Sequence, residues 1–177
     1  MGRRPDAREK VLDAVELVLV ERGLSGLTLE HVAERAGVSK GGLLYHFPSK
    51  AKLVDGLVDR LSALVAEAVA GAPVDAAGAV QWYLRTSIRP TAQETSLYRA
   101  LTALLRSADD LETDRLRRII DSYVEPVRAA VADPVLFHTI RLVGDGLFLS
   151  GLLGLGESDQ AALDQLVEDL AGRAAAG

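Results

Sequence analysis

The sequence predicts an all-α protein of nine helices arranged in two domains. Apolar residues recur at three- and four-residue intervals along most of the chain, and no segment shows the period of two that marks a strand. Glycine, proline and paired acidic residues interrupt this pattern between the helices. With 177 residues, 49% of them hydrophobic, the chain can bury an adequate core. It has no cysteine, which excludes disulfides, thiol catalysis and cysteine-bound metals.

The first three helices are predicted close to the N-terminus. Helix 1 covers residues 6–22, where the apolar side chains follow the helical period. Thr28 is the predicted N-cap of helix 2, and Ser39 is the predicted N-cap of helix 3 after a tight turn at Gly37. Pro48 stops helix 3. Helices 2 and 3 are therefore both short.

A long fourth helix is predicted to begin after Ser49 and to continue to the break at Gly71. The same apolar period predicts five further helices, at about 74–89, 92–107, 112–132, 134–154 and 159–174. We expect the domain boundary at the start of helix 4. A small head then covers residues 1–50, and a larger body covers residues 51–177.

Charge and hydropathy restrict the classes of partner. The formal net charge is −5, but residues 1–50 carry eight Lys/Arg against seven Asp/Glu, whereas residues 51–177 carry twelve against eighteen. A slightly positive head on an acidic body suits a local contact with a polyanion. Residues 142–155 form the most apolar run, but it is too short to span a bilayer and contains Asp145. We therefore predict a buried helix and no membrane partner, and the lack of an apolar signal sequence predicts a cytoplasmic protein.

The most specific pattern is the segment at 28–50, TLEHVAERAGVSKGGLLYHFPSK. Two short capped helices joined by a glycine turn are typical of a helix-turn-helix, whose second helix enters the major groove. That groove is about 12 Å wide, so the exposed side of the second helix must be slim near the bases. Lys40, Gly41 and Gly42 leave its start uncluttered. Farther along the chain, Tyr45, His46 and Lys50 can reach phosphate oxygens.

This segment resembles the head of the TetR/AcrR family of regulators, and the match extends over about residues 7–57. The resemblance implies base-edge contacts at Lys40 and Gly41, with Arg3 or Arg4 reaching toward the minor groove. It implies phosphate contacts at Thr28, Ser39, Tyr45, His46 and Lys50. The chain departs from the family where Leu44 replaces a common tyrosine and Gly42 replaces a bulkier polar residue. Base reading is therefore expected to depend on few side chains.

Helix 8 is predicted to be apolar on more than one side, so it must be buried on several faces. In the family that this chain resembles, the last two long helices pair with those of a second copy. A twofold pair of heads also reads two half-sites about one turn of DNA apart. We expect a homodimer whose interface includes Val143, Leu147, Gly151, Leu163, Leu166 and Leu170.

The resemblance also implies a cavity in the body for a small-molecule effector of unknown identity. The candidate ligand-binding residues are Trp82, Tyr83, Tyr98, Tyr123, Asp145 and Phe148, with Arg85, Arg99 and Arg141 as charged candidates. Any of the aromatic residues can instead be an ordinary core residue. A carboxylate among apolar residues needs a partner, so Asp145 either binds a cationic ligand or pairs with an arginine such as Arg141. We favour the structural pair.

By the resemblance we expect a ligand-responsive transcriptional regulator, most commonly a repressor that its effector releases from the operator. Because helix 4 runs from Lys50 directly into the body, we expect it to act as the hinge. The alternatives are an enzyme and a helical bundle that has lost DNA binding. No metal-binding or phosphate-binding motif occurs, and Ser150, His138 and Asp145 fall on one helix where they cannot form a catalytic triad. We therefore expect no enzyme, no cofactor and no metal.

Overall fold

The computed structural model describes residues 7–88, 91–105, 110–155 and 159–177, without the side chains of 105 and 110–112. Within these ranges the chain forms nine helices and no strand, which confirms the predicted fold class. Their bounds are α1 Ala7–Gly26, α2 Leu29–Ala36, α3 Lys40–His46, α4 Lys50–Ala70, α5 Ala76–Ile88, α6 Ala92–Leu105, α7 Asp110–Ala130, α8 Pro134–Leu153 and α9 Gln160–Ala176.

The predicted caps of α2 and α3 lie where the sequence places them. The Thr28 hydroxyl accepts the backbone N–H of His31 at 3.2 Å, and the Ser39 hydroxyl accepts that of Gly42 at 3.1 Å. Gly37 adopts the left-handed conformation (φ 65°, ψ 34°) that closes α2. One boundary differs, because α1 kinks at Gly23 (φ 65°) and then continues for another turn to Gly26.

The described residues cluster into two compact units. Those of Met1–Ala63 and Gln93–Leu116 form the first unit, and those of Leu64–Ala92 and Arg117–Gly177 form the second. The predicted head of residues 1–50 lies within the first unit, which also takes in the start of α4 and most of α6. The functional boundary after residue 50 stays a prediction. The second unit has its own apolar core, in which α5 packs against α8 and α9.

A charge cluster centred on the buried side chains of Arg60 and Glu16 joins α1 to α4 within the first unit. The Arg60 guanidinium, 8% exposed, contacts Glu9 at 2.6 Å, Asp13 at 2.8 Å and Glu16 at 2.6 Å. Ser96 on α6 donates its hydroxyl to the other oxygen of Glu16 at 2.7 Å. Burial disfavours the charged form, but hydrogen bonds from Arg60 to the three carboxylates outweigh it and raise the pKa of Arg60. A fixed α1 supports the two short helices that pack on it.

By length and composition, helix α8 could cross a membrane. That is weak evidence, because the apolar helices of soluble proteins pass the same test. Asp145 on this helix has protein partners, described below.

Candidate nucleic-acid interface

Helix α3 has one side in the protein and one side in solvent. Leu43 and Phe47 are buried in the packing of α3 against α1 and α2. Tyr45 is 85% exposed, and Lys40 and Gly41 are also exposed. The predicted base-reading and phenolic groups therefore face outward, as entry into a groove requires.

The two glycines of α3 have different surroundings. A Cβ added at Gly41 would meet nothing within 4 Å, so the packing of this chain does not explain why residue 41 has no side chain. A Cβ at Gly42 would lie 3.2 Å from the capping hydroxyl of Ser39. Glycine inside a helix costs about 1 kcal/mol relative to alanine. No contact within the chain offsets this cost at Gly41, and the space in front of it is open to another molecule.

The remaining phosphate candidates already have partners within the chain. Thr28 and Ser39 accept backbone N–H groups as caps, and each hydroxyl still has its own hydrogen to donate. His46 is half-buried, with its ring edge-on to Tyr45 at 5.0 Å between centroids. Lys50 is also half-buried and donates to the Leu24 carbonyl at 2.5 Å. Their phosphate contacts stay predictions, and Arg3 and Arg4 lie outside the described residues.

Sequence reasoning missed an ion pair at the start of α3. The Lys40 ammonium lies 2.6 Å from a carboxylate oxygen of Glu30, which is in the first turn of α2. The hydrogen bond from Lys40 is the main cause that holds the pKa of Glu30 below its usual value. Both side chains remain more than half exposed, so the pair lies on the surface that the helix-turn-helix presents.

In the second unit, Asp145 takes part in a network of structural contacts. Tyr83, only 3% exposed, donates its hydroxyl to Asp145 at 3.1 Å. Burial, and then the Asp145 charge, raise the pKa of Tyr83. Arg141 lies 3.8 Å from the other oxygen of Asp145 and 2.9 Å from Asp121. The favoured interpretation of Asp145 as a structural residue agrees with this network, although Tyr83 and Asp121 were not foreseen as its members.

Only some of the predicted effector residues come together. The rings of Trp82 and Tyr123 pack at a tilt of 41° with centroids 5.1 Å apart, and Tyr123 donates its hydroxyl to Thr86 at 2.7 Å. Tyr83 belongs to the apolar core. Phe148 is half-buried on α8 in the same unit, whereas Tyr98 belongs to the first unit. Of the charged candidates outside the Asp145 network, Arg85 pairs with Glu168 at 2.8 Å and Arg99 is exposed on α6.

The expected dimer residues are covered to different extents within one chain. Leu170 is 4% exposed and belongs to the core of the second unit, so it offers little surface to a second copy, and its place in an intersubunit surface stays a prediction. Val143 and Leu147 also pack against that core, while Gly151 and Leu163 are half-buried. Leu166 is more exposed. The apolar side chains that α8 leaves in solvent are instead Val135, Leu142, Leu149 and Leu153.

The seven-residue spacing of Val135, Leu142 and Leu149 was present in the sequence. Both faces of α8 are apolar, however, so spacing alone does not tell which face the protomer covers.

Over the described residues, His, Asp and Glu side chains form no group of three that could hold a metal ion.

Family models match both parts of this chain. The model described as bacterial regulatory proteins of the tetR family matches residues 11–57, and one described as a tetracyclin repressor-like C-terminal domain matches residues 77–175. The chain belongs to the TetR family. The first match contains the whole helix-turn-helix, and the second covers more than half of the chain by itself.

Individual proteins are similar to this TetR-family chain over different lengths. The HTH-type transcriptional regulator TtgR of Pseudomonas putida is 39% identical over 56 residues, which are 32% of this chain and 27% of TtgR. The match thus spans about a quarter of that relative.

Solved structures match over nearly the full chain. One described as a TetR-family transcriptional regulator from Rhodococcus sp. has a TM-score of 0.70 at 21% identity and covers 94% of this chain and 100% of its own. The multidrug binding protein EbrR, solved with malachite green, has a TM-score of 0.69 at 21% identity. The match covers 94% of this chain and 98% of the EbrR chain. At such identities the likeness shows the fold.

Proposed function

We propose that this TetR-family chain is a transcriptional repressor that binds operator DNA as a homodimer and is released by a small-molecule effector. The observation that carries the proposal is the outward face of α3. Lys40 and Tyr45 point into solvent there, and the space in front of Gly41 is open. A helix of this shape can approach base edges, while the polar groups around it reach the backbone phosphates.

Dimerisation is supported by the uncovered face of α8. Leu142 is 70% exposed, and Val135, Leu149 and Leu153 share its side of the helix. A row of large apolar side chains in water is unfavourable, and a second copy would cover it with an identical row. Leu166 on α9, from the expected dimer set, is also exposed.

For the effector we propose an aromatic or apolar compound that contacts the second unit. EbrR is described as a multidrug binding protein, and its solved complex contains malachite green. In this chain the paired rings of Trp82 and Tyr123 and the half-buried Phe148 supply apolar surface for such a compound. Helix α4 runs from Lys50, beside α3 in sequence, to Ala70 in the second unit, so it is the proposed hinge. The coupling free energy between effector and DNA then equals the difference in the free energy of effector binding between the DNA-bound and the free protein.

Fluorescence anisotropy with labelled genomic fragments tests the DNA-binding part of the proposal. We expect one or a few fragments to bind more tightly than random duplex, and the affinity to fall steeply as salt rises. Equal binding of all fragments would contradict it. We propose that the protein acts in the cytoplasm. The proposed function involves no membrane partner, no cofactor and no catalysed reaction. An effector of this kind should bind free protein more tightly than operator-bound protein in calorimetry.

A further inference from the structure

We propose that Glu30 determines the sequence specificity of this protein by positioning Lys40. The carboxylate of Glu30 holds the Lys40 ammonium beside the start of α3, where base edges approach, and keeps it from neutralising phosphates on any sequence. The inference rests on the proposed binding to DNA. It adds a residue from the first helix of the helix-turn-helix, which neither the motif nor the resemblance singles out.

The geometry of the pair shows why Glu30 and Lys40 act as one group. Their charged atoms are 2.6 Å apart, although the residues lie on different helices and ten positions apart in sequence. Lys40 is the first residue of α3, where the partial positive charge of the helix end disfavours a cation. The Glu30 carboxylate offsets that repulsion. More than half of each side chain is exposed, so the pair remains accessible to a large ligand.

The pairing changes what the lysine can recognise. A free lysine is a point charge on a flexible four-carbon stem, and it attracts the nearest phosphate whatever the sequence. Bound to Glu30, the Lys40 ammonium has two donors left, and the net charge of the pair is zero. The remaining N–H groups of Lys40 can still donate hydrogen bonds to acceptors on a guanine edge. A phosphate, in contrast, is repelled by the neighbouring Glu30 carboxylate. The pair therefore favours base recognition over backbone attraction.

The Glu30–Lys40 pair adds little to the stability of the fold. Ion pairs between exposed side chains contribute little to folding, because water screens them and the side chains lose rotational freedom. An acidic residue in the first turn of α2 is favourable by itself, but that does not require it to reach across to α3. The contact instead connects the two helices on the exposed surface beside Gly41.

The test uses the full chain and four variants, Glu30→Gln, Glu34→Gln, Lys40→Ala and the double variant Glu30→Gln with Lys40→Ala. Glu34 is the matched control, because it is an exposed glutamate of the same helix and its substitution makes the same change in charge. Each protein is titrated by anisotropy against the tightest genomic duplex and a scrambled duplex of equal length and composition, over a range of salt concentrations.

With Glu30→Gln, Lys40 becomes available to phosphates. The slope of log affinity against log salt on the scrambled duplex should steepen by about 0.9 for each protomer bound, the value for one phosphate contact. The preference for the genomic duplex should fall about fivefold or more, the lower end for one lost base contact. Glu34→Gln should leave the slope and the preference near those of the wild type. In the Lys40→Ala background, Glu30→Gln should change neither quantity.

Two results would overturn the inference while leaving DNA binding intact. One is a Glu30→Gln variant that matches Glu34→Gln in both slope and preference. The other is an undiminished effect of Glu30→Gln in the absence of Lys40, since Glu30 would then act on DNA directly. A wild-type protein without any sequence preference would instead contradict the proposed function.

Discussion

The contact between Gly144 and Tyr83 yields the sharpest prediction for the stability of the second unit. Gly144 is buried on α8, and a Cβ built there would overlap Cε1 of Tyr83 and lie 2.7 Å from its Cζ and 2.9 Å from its hydroxyl oxygen. Real side chains do not approach so closely, so Gly144→Ala must displace the ring by about 1 Å or shift α8. The ring is 3% exposed and hydrogen-bonded to Asp145, which leaves it little room.

The magnitude follows from three contributions. Overpacking a close-packed core costs about 1–3 kcal/mol. Loss of the hydrogen bond from Tyr83 to Asp145 adds about 1 kcal/mol, and alanine in place of a helical glycine returns about 1 kcal/mol. We expect Gly144→Ala to lower the free energy of unfolding by about 1–3 kcal/mol. For a chain of this size, each 1 kcal/mol corresponds to a fall of about 2–4 °C in Tm.

Circular dichroism melts at one fixed protein concentration measure this effect, because dimerisation makes Tm depend on concentration. Gly172→Ala is the matched control: it also lies in a helix, and its Cβ would meet nothing within 4 Å, so it should melt at or above the wild-type temperature. Tyr83→Leu removes the obstructing ring, so Gly144→Ala should cost less in that background. A Gly144→Ala protein that melts at or above the wild-type temperature would refute the position assigned to Tyr83.

Three further results are expected. Gly41→Ala should leave the melting temperature unchanged or slightly higher, because its Cβ enters open space, yet it should weaken operator binding in anisotropy if α3 approaches the bases closely; unaltered affinity would contradict that approach. Leu142→Glu combined with Leu149→Glu should give monomers in light scattering. Val74→Glu, at an exposed position outside α8 and α9, should leave the dimer intact. A dimer that persists in the double variant would rule out the α8 surface. Because burial and Asp145 raise the pKa of Tyr83, the folded chain keeps a proton that the unfolded chain loses above about pH 10. Stability should therefore fall as pH rises beyond that value, and Tyr83→Phe should reduce the fall in alkaline melts.

Much of the head could be predicted because its signals are local. Thr28 and Ser39 cap helices through atoms three residues away, and Gly37 closes α2 through its own backbone conformation. Such interactions depend on short stretches of sequence. They are therefore sufficient to predict the helix-turn-helix and the exposure of α3 without knowledge of tertiary contacts.

Contacts between distant residues could not be predicted in the same way. The pairing of Tyr83 with Asp145 joins residues 62 positions apart, and the pairing of Arg60 with Glu16 joins residues 44 apart. Helical periodicity shows that a residue lies on an apolar face, but it does not say which neighbour covers that face. Leu170 and Leu142 illustrate this, since both are leucines on apolar helices and only the structure separates the covered one from the exposed one.

Hydroxyl-radical footprinting on the genomic fragment that this protein enriches most tests the central claim most directly. Two recognition helices related by a twofold axis should protect two symmetric patches whose centres lie about one helical turn, or a whole number of turns, apart. Lys40→Ala should weaken both patches equally. Failure to enrich any fragment, or a single asymmetric patch unaffected by Lys40→Ala, would contradict the assignment of α3 as the DNA-reading helix of a dimer.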